Sequence, residues 1–331
     1  MGKKTLHNAG CPYKVEEKRS TARQCNCPTR LAYKTVDSYI GKLRAIFSSE
    51  GRIGEWDPIA AQGNPATSPL MKAYLKVITQ EQLEASVPPQ QAVPIFLSKL
   101  ARLATHIEGR LRKENSPVAA FILARDQAFF KTLFFSGDRG GDLLNVRTDD
   151  VKRLPSGGLL FNQVWGKTLR GGRTNMFALE KVKDETVCPV RGLDLYIDSA
   201  RQLQVPLDGM FLFPPTTKEG EIANKQAATS TMEAALRKYL KALNDDDGET
   251  IHSFRTGCAI TLAMTGVPKQ QAMEHIGWFS EQTPTYYTKL SRVMGVGGVS
   301  AALASEEAEK AVRDFETAND VRHVEKAFIT Q

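Results

Sequence analysis

His252 and Arg255 stand three residues apart in Ile251-His252-Ser253-Phe254-Arg255, a spacing that puts both on one face of a helix, within reach of one ligand. A second helical run ends at Gly277, a natural helix stop, and Trp278 follows it. Thr283 as N-cap and Pro284 at the first helical position then open a short helix that carries Tyr286 and Tyr287. A cationic pair, an indole and a phenol are thus delivered from consecutive helices. That set suits an oxyanion such as a phosphodiester, which charged donors can grip and a phenol can attack. Taken alone, each piece has an ordinary reading: His-x-x-Arg as a solvated helix edge, Tyr-Tyr as packing. Their order and spacing carry the argument.

The elements that must hold these residues follow from pattern. With 331 residues the chain is long enough for two domains, each with a real core. At 41% apolar and 24% charged residues, wholesale disorder is excluded. The longest apolar run, Val118 to Ala124, is too short to span a bilayer, so no membrane is expected as a partner. No charged-then-apolar leader opens the chain, Leu6 spoils an acylation motif, and five cysteines make an odd set; an intracellular, reducing setting is expected. Of the net charge of +7, +6 lies in residues 1–34, where Lys3, Lys4, Lys14, Lys18, Arg19, Arg23, Arg30 and Lys34 face only Glu16 and Glu17. A basic arm on a near-neutral body suits a polyanion, although a solubilising tail has the same composition.

Residues 1–29 lack apolar periodicity and read as loop, with His7, Cys11, Cys25 and Cys27 as four potential zinc ligands. The Cys25-x-Cys27 spacing is tighter than zinc sites usually use, and plain surface thiols are the other reading. A helix is predicted with Val36, Tyr39, Ile40, Leu43, Ile46 and Phe47 on its apolar face, and a second with Leu70, Tyr74, Leu75, Ile78 and Leu83. Pro88-Pro89 breaks the chain there and sets a domain boundary. Further helices are predicted over 93–111, 116–136, 188–203, 230–243 and 305–328, with Gly137 ending the second of these. Residues 159–165 and 174–179 change to strand period around a Gly-rich turn, a β-hairpin. Asn244-Asp245-Asp246-Asp247-Gly248 is an acidic turn without the continuation of a calcium loop.

The segment 251–290 resembles the C-terminal signature of the tyrosine recombinases of the phage-integrase type: His-x-x-Arg, then Gly-His or Gly-Trp, then a nucleophilic tyrosine nine residues on. Trp278 plus nine is Tyr287. Trp in place of His is an accepted variant in that family. Arg139, followed three residues later by Asp142 and then Leu143, is similar to the family's first arginine motif, and Gly166-Lys167 in the hairpin turn matches its lysine. Cys25-Asn26-Cys27-Pro28 before the first helix also looks like the recombinases of Crypton-type mobile elements.

The resemblance implies a mainly α fold with a small β-sheet or hairpin, built as a two-domain DNA clamp. It divides the chain into a basic arm at 1–29 that carries the candidate zinc ligands, a helical core-binding (SAM-like) domain at 30–88 and a mixed α/β catalytic domain at 89–331 with a C-terminal helix. It implies that Tyr287 attacks a DNA phosphodiester to give a 3′-phosphotyrosyl bond, while Arg139 and Arg255 neutralise the phosphate charge. His252 would donate to the phosphate and relay the tyrosine's proton, Lys167 would act as general acid, and Trp278 would donate its indole N–H. Asp142 is placed to lock the rotamer of Arg139. Neither ATP nor a catalytic metal is implied, leaving zinc at the N-terminus as the one cofactor to test. Double-stranded DNA is the implied partner, touched by Lys42, Arg44, Lys72, Lys76, Arg170, Arg173, Lys238 and Lys241, with a tetramer on paired sites. Tyr286 is the rival nucleophile; adjacent helical side chains point about 100° apart, so one of the two faces the phosphate. A DNA-binding protein without turnover and a type IB topoisomerase are the competing functions.

Overall fold

The computed structural model describes residues 3–7, 11, 25–85, 92–166, 169, 174–217, 219–265, 267–277 and 299–318. The chain forms two compact units, Met1–Gln90 and Gln91–Gln331.

In the first unit, β1 (Lys3–Thr5) pairs antiparallel with β2 (Thr29–Leu31), Lys3 opposite Leu31, and Leu6 N–H extends the pairing to the Pro28 carbonyl at 2.8 Å. The loop expected over 1–29 therefore contains a strand, which local pattern could not show because its partner lies more than twenty residues away. Helix α1 (Tyr33–Ser49) and helix α2 (Pro69–Glu84) follow, α2 started by Ser68 as N-cap with Pro69 behind it. Asn64 is buried between them and ties their connection to α1 through the Arg44 carbonyl at 2.9 Å. The apolar stripes predicted on both helices are only partly used. Ile40 and Ile78 are buried, but Leu43, Ile46, Leu70, Tyr74 and Leu83 are exposed, Leu70 at 77%. Two helices and a two-stranded ribbon have too little surface to cover two full stripes.

The second unit is built round α4 (Pro117–Ser136), which is buried along nearly its whole length because its sequence is apolar on every side. Ser116 caps its start, and Gly137, at φ +60°, ends it in the left-handed conformation. Packed around it are α3 (Leu97–Leu111), α6 (Pro189–Gln202), capped by Cys188, and α7 (Thr229–Ala242). The four-residue α5 (Gly140–Leu143) leads to an antiparallel sheet ordered β3 (Val151–Arg153), β4 (Leu159–Gln163), β5 (Asn175–Leu179). Phe161 and Phe177 stack across β4 and β5 with ring centroids 4.8 Å apart. The hairpin was expected; β3 was not, since three residues show no alternation. The extended segment before α3 also shortens the helix expected from 93: Pro94 has no N–H to give, and Ile95 N–H bonds Ser253 O at 3.0 Å instead.

Helices α8 (His252–Met264) and α9 (Lys269–Ile276) complete the unit, with α10 (Glu306–Ala318) laid on α8 through Phe96, Ile260, Val312 and Phe315. The tail helix predicted to 328 is described only to Ala318, and over that length it folds back on its own unit. Among the described residues no helix is long and apolar enough to cross a membrane. The acidic turn is organised by a lysine: Lys99 bridges Asp245 at 3.2 Å and Asp247 at 3.1 Å, and also pairs with the buried Glu249.

Candidate active site

Two glycine helix caps shape the site. Gly137 after α4 and Gly277 after α9, at φ +74°, both take the left-handed conformation and turn the chain sharply. Their neighbourhoods leave no room for a side chain either: a Cβ on Gly137 would lie 2.7 Å from Cys258 Sγ, and one on Gly277 2.8 Å from Asn175 Nδ2. Arg255, buried on α8, joins the two caps, its Nη1 donating to Gly137 O at 2.8 Å and to Ile276 O at 3.1 Å. Both carbonyls sit at negative helix C-termini, where a guanidinium is favoured.

Arg139 follows Gly137 by two residues and is the N-cap position of α5. Its backbone N–H donates to Asp138 Oδ1 at 2.7 Å, and its Nη1 pairs with Asp142 Oδ2 at 3.4 Å, one helical turn on. The start of α5 is pressed onto the start of α8: a Cβ on Gly140 would meet Ile251 Cδ1 at 2.3 Å and force that side chain to shift. The fields of the two arginines overlap at His252. Partial burial, then the charges of Arg255 and Arg139, draw the His252 imidazole below its ordinary value. Burial and Arg139 push Arg255 down to about 10, which still leaves it charged at neutral pH. In the DNA-free protein His252 is therefore neutral at pH 7 and ready to take a proton. We expect its NMR titration midpoint to fall below the ~6.5 of an exposed imidazole. Arg139→Ala should raise that midpoint; a native midpoint above 7 would contradict this arrangement.

The hairpin docks on the same corner. A Cβ on Gly166 would stand 3.1 Å from Asp142 Cγ, so the backbone that leads into Lys167 lies against the Arg139–Asp142 pair. Beneath it Asp138, Gln163 and Asn175 form a buried chain of hydrogen bonds, with Gln163 Nε2 donating to Asp138 Oδ2 and Asn175 Nδ2 donating to Gln163 Oε1 at 3.2 Å. Sequence reasoning passed over these three. For Gln163 and Asn175 the signal was there, in polar residues at inward positions of two mainly apolar strands; Asp138, in the turn after α4, had none.

Arg139, Asp142, His252 and Arg255 are thus brought together from α5 and α8. Lys167, Trp278, Tyr286, Tyr287, Arg170 and Arg173 lie outside the described residues. Lys42 and Arg44 on α1, Lys72 and Lys76 on α2, and Lys238 and Lys241 on α7 are all solvent-exposed; Lys72 is paired with Glu55 at 3.3 Å.

A second cluster lies in the first unit. One ligand atom from each of His7, Cys11, Cys25 and Cys27 falls within 4.8 Å of every other. His7 Nδ1 is 3.3 Å from Cys11 Sγ and 3.5 Å from Cys25 Sγ. Zinc–nitrogen and zinc–sulfur bonds of about 2.1 and 2.3 Å give a tetrahedral N···S edge of roughly 3.6 Å, so the donor set fits that ion. No disulfide joins the five cysteines.

Comparison with known proteins bears on both units. Residues 1–80 match the ALOG domain. LIGHT-DEPENDENT SHORT HYPOCOTYLS 7 of Arabidopsis thaliana is 33% identical over 91 residues, which cover 27% of this chain and 41% of that protein. Protein G1-like7 of Oryza sativa subsp. indica is 30% identical over 91 residues, 28% of this chain and 39% of that protein. The chain thus spans about two fifths of the length of these relatives. Among solved structures, the XerH site-specific recombinase in its post-cleavage complex is 14% identical with a TM-score of 0.48, covering 86% of this chain and 71% of that one. XerA recombinase is 16% identical with a TM-score of 0.42, covering 87% and 85%. Residues 115–293, more than half of the sequence and the stretch that holds Arg139, His252 and Arg255, match the Phage integrase family, and the chain belongs to that family, the tyrosine recombinases.

Proposed function

We propose that this protein is a site-specific DNA recombinase that cuts and rejoins DNA with Tyr287 as nucleophile. The Tyr287 oxygen attacks phosphorus, the bond to the 5′ oxygen breaks, and a 3′-phosphotyrosyl ester forms. His252 takes the phenolic proton and Lys167 gives one to the leaving 5′ oxygen; a lysine can do so because its proton is mobile, unlike that of an arginine. Arg139 and Arg255 carry the negative charge on the non-bridging oxygens, and Trp278 adds an N–H donor. The ester conserves the energy of the broken linkage, so resealing is the same path reversed and needs no ATP. The observation that carries the reading is the convergence of Arg139 and Arg255 on His252, with Asp142 holding Arg139.

In the same reading, residues 1–29 and 30–88 hold the DNA duplex for a catalytic domain at 89–331. Exposed Lys42, Arg44, Lys72, Lys76, Lys238 and Lys241, with Arg170 and Arg173, meet phosphates. Four copies act on paired sites inside the cell. The test is a nicked suicide duplex carrying candidate termini. The intact protein should yield a covalent adduct that Tyr287→Phe abolishes and Tyr286→Phe spares. An adduct that survives Tyr287→Phe refutes the assignment, and specific DNA binding with no adduct at all would favour a binding protein without turnover.

The His7, Cys11, Cys25 and Cys27 cluster is the proposed site of a structural zinc ion. His7 follows β1 and Cys27 precedes β2, so the ligands would close the base of the connection that joins the two strands. Bound zinc supplies a cross-link there and no chemistry at the catalytic site. Elemental analysis should find about one zinc per chain, as a closed four-ligand site implies. Cys25→Ser should lower that content and speed amide exchange in β1 and β2; full zinc content in the variant would place the metal elsewhere.

A further inference from the structure

We propose that Asp138 is a positioning residue for strand cleavage: through Gln163 and Asn175 its carboxylate fixes the β4–β5 hairpin against the Arg139 corner. The proposal rests on the recombinase reading and adds to it a role for three buried residues.

Asp138 lies between the glycine cap of α4 and Arg139, with only 4% of its surface exposed. One carboxylate oxygen accepts the Arg139 backbone N–H, which orients the N-cap residue of α5. The other accepts from Gln163 at the end of β4, and Gln163 in turn accepts from Asn175 at the start of β5. Gln163 and Asn175 are direct cross-strand partners at the mouth of the loop that contains Lys167. Asn175 also abuts Gly277, the residue before Trp278. One buried chain of hydrogen bonds therefore touches the arginine corner, both legs of the lysine hairpin and the end of α9. An apolar trio of the same size would pack there without fixing a register. The polar one holds each amide in a single orientation, since every donor faces an acceptor.

The charge on Asp138 matters to this device. Burial raises its carboxyl to about 6, assisted by Asp142 on α5, while the bonds from Gln163 and Arg139 and the charge of Arg255 on α8 hold it down. Above that pH both oxygens accept; below it one becomes a donor and the chain of bonds is broken at its first link.

Exchanging the chemistry along the chain tests the idea. Asp138→Asn puts an amide donor where Gln163 Nε2 donates, so Gln163 and then Asn175 must turn their amides over, whereas Asp138→Asn with Gln163→Glu keeps a donor facing an acceptor at every step with Asn175 unmoved. Asp138→Asn should slow single-turnover cleavage of the suicide duplex at least tenfold with DNA affinity within threefold of the native protein. The double variant should recover to within threefold of the native rate. Asn175→Ala, one step further along and on the opposite strand, should slow cleavage severalfold at unchanged affinity, and it serves if Asp138→Asn does not fold. Native cleavage by Asp138→Asn or by Asn175→Ala overturns the proposal, as does a double variant no faster than Asp138→Asn. Should the native protein form no adduct, the recombinase reading fails. Amide exchange over 159–179 then still decides whether Asp138 holds the hairpin: faster exchange in Asp138→Asn and recovery in the double variant support it, and unchanged exchange refutes it.

Discussion

Arg255→Ala is expected to reduce DNA cleavage below detection and to destabilise the unit Gln91–Gln331 by about 3 kcal/mol, the cost of leaving buried acceptors unpaired. The two losses have one origin. Arg255 Nη1 donates to the last carbonyls of two helix ends, at Gly137 and Ile276, both in buried residues. Truncation leaves those carbonyls facing a cavity at the point where α4, α8 and α9 meet. It also removes a fixed charge from the proposed phosphate position, a change worth about 10²–10³ in rate where a preorganised donor is lost. Arg255→Lys separates the two effects. A lysine keeps a positive charge but not the planar fork that spans two carbonyls, so its stability should fall nearly as far while measurable cleavage returns. Denaturant unfolding and single-turnover cleavage measure the pair. An Arg255→Ala protein that cuts within tenfold of the native rate would remove Arg255 from the chemistry.

Glu108→Ala is the second large effect, and it lies far from the proposed chemistry. Lys131 is fully buried in the middle of α4, its ammonium 3.0 Å from Glu108 Oε1, and Arg191 reaches the same oxygen at 2.8 Å. Against burial, which raises it, Lys131 and Arg191 hold the Glu108 carboxyl below its usual range. Burial lowers Lys131, with Glu108 opposing and Arg191 adding to the fall. Removing the carboxylate strands the buried Lys131 ammonium, while Arg191 keeps Glu185 at 3.5 Å, at a cost of about 3–5 kcal/mol for a broken buried pair. The sign with pH follows. Lys131 without Glu108 sheds its proton on folding, so the unfolded chain binds more protons and stability rises with pH up to the unfolded value near 10.4. The deficit against the native protein should therefore be larger at pH 7 than at pH 9.5. Thermal unfolding at the two pH values would show it, and equal deficits would mean that Lys131 stays charged.

Much of this fold is legible in the sequence, and the remainder is illegible for identifiable reasons. Helix α4 announces itself through an apolar sequence between Ser116 and Gly137, and the hairpin through its alternation and glycines. The grouping of Arg139 with His252 and Arg255 is not written in any local pattern; order and spacing pointed to it, and the helix caps at Gly137 and Gly277 explain how it is achieved. The pairing of β1 with β2 and of Ile95 with Ser253 depends on partners remote in sequence, which no window of residues contains. The Asp138–Gln163–Asn175 chain was missed because each member, read singly, is an unremarkable polar residue. The stripes on α1 and α2 show the opposite failure. Periodicity gave the helices correctly but could not say that Leu70 and Ile46 would stay in water.

The distance along the chain between Arg139 and Arg255 has a consequence in time. Synthesis runs from the N-terminus, and domains begin to fold as they emerge. A nascent chain that has passed Asn175 already owns one arginine and the hairpin, yet Arg255 and the carbonyl of Ile276 have still to be translated. The corner is incomplete until Ile276 has been made. Products cut short before Ile276 would lack the tie between the two helix ends, and with it the corner that gathers Arg139, His252 and Arg255.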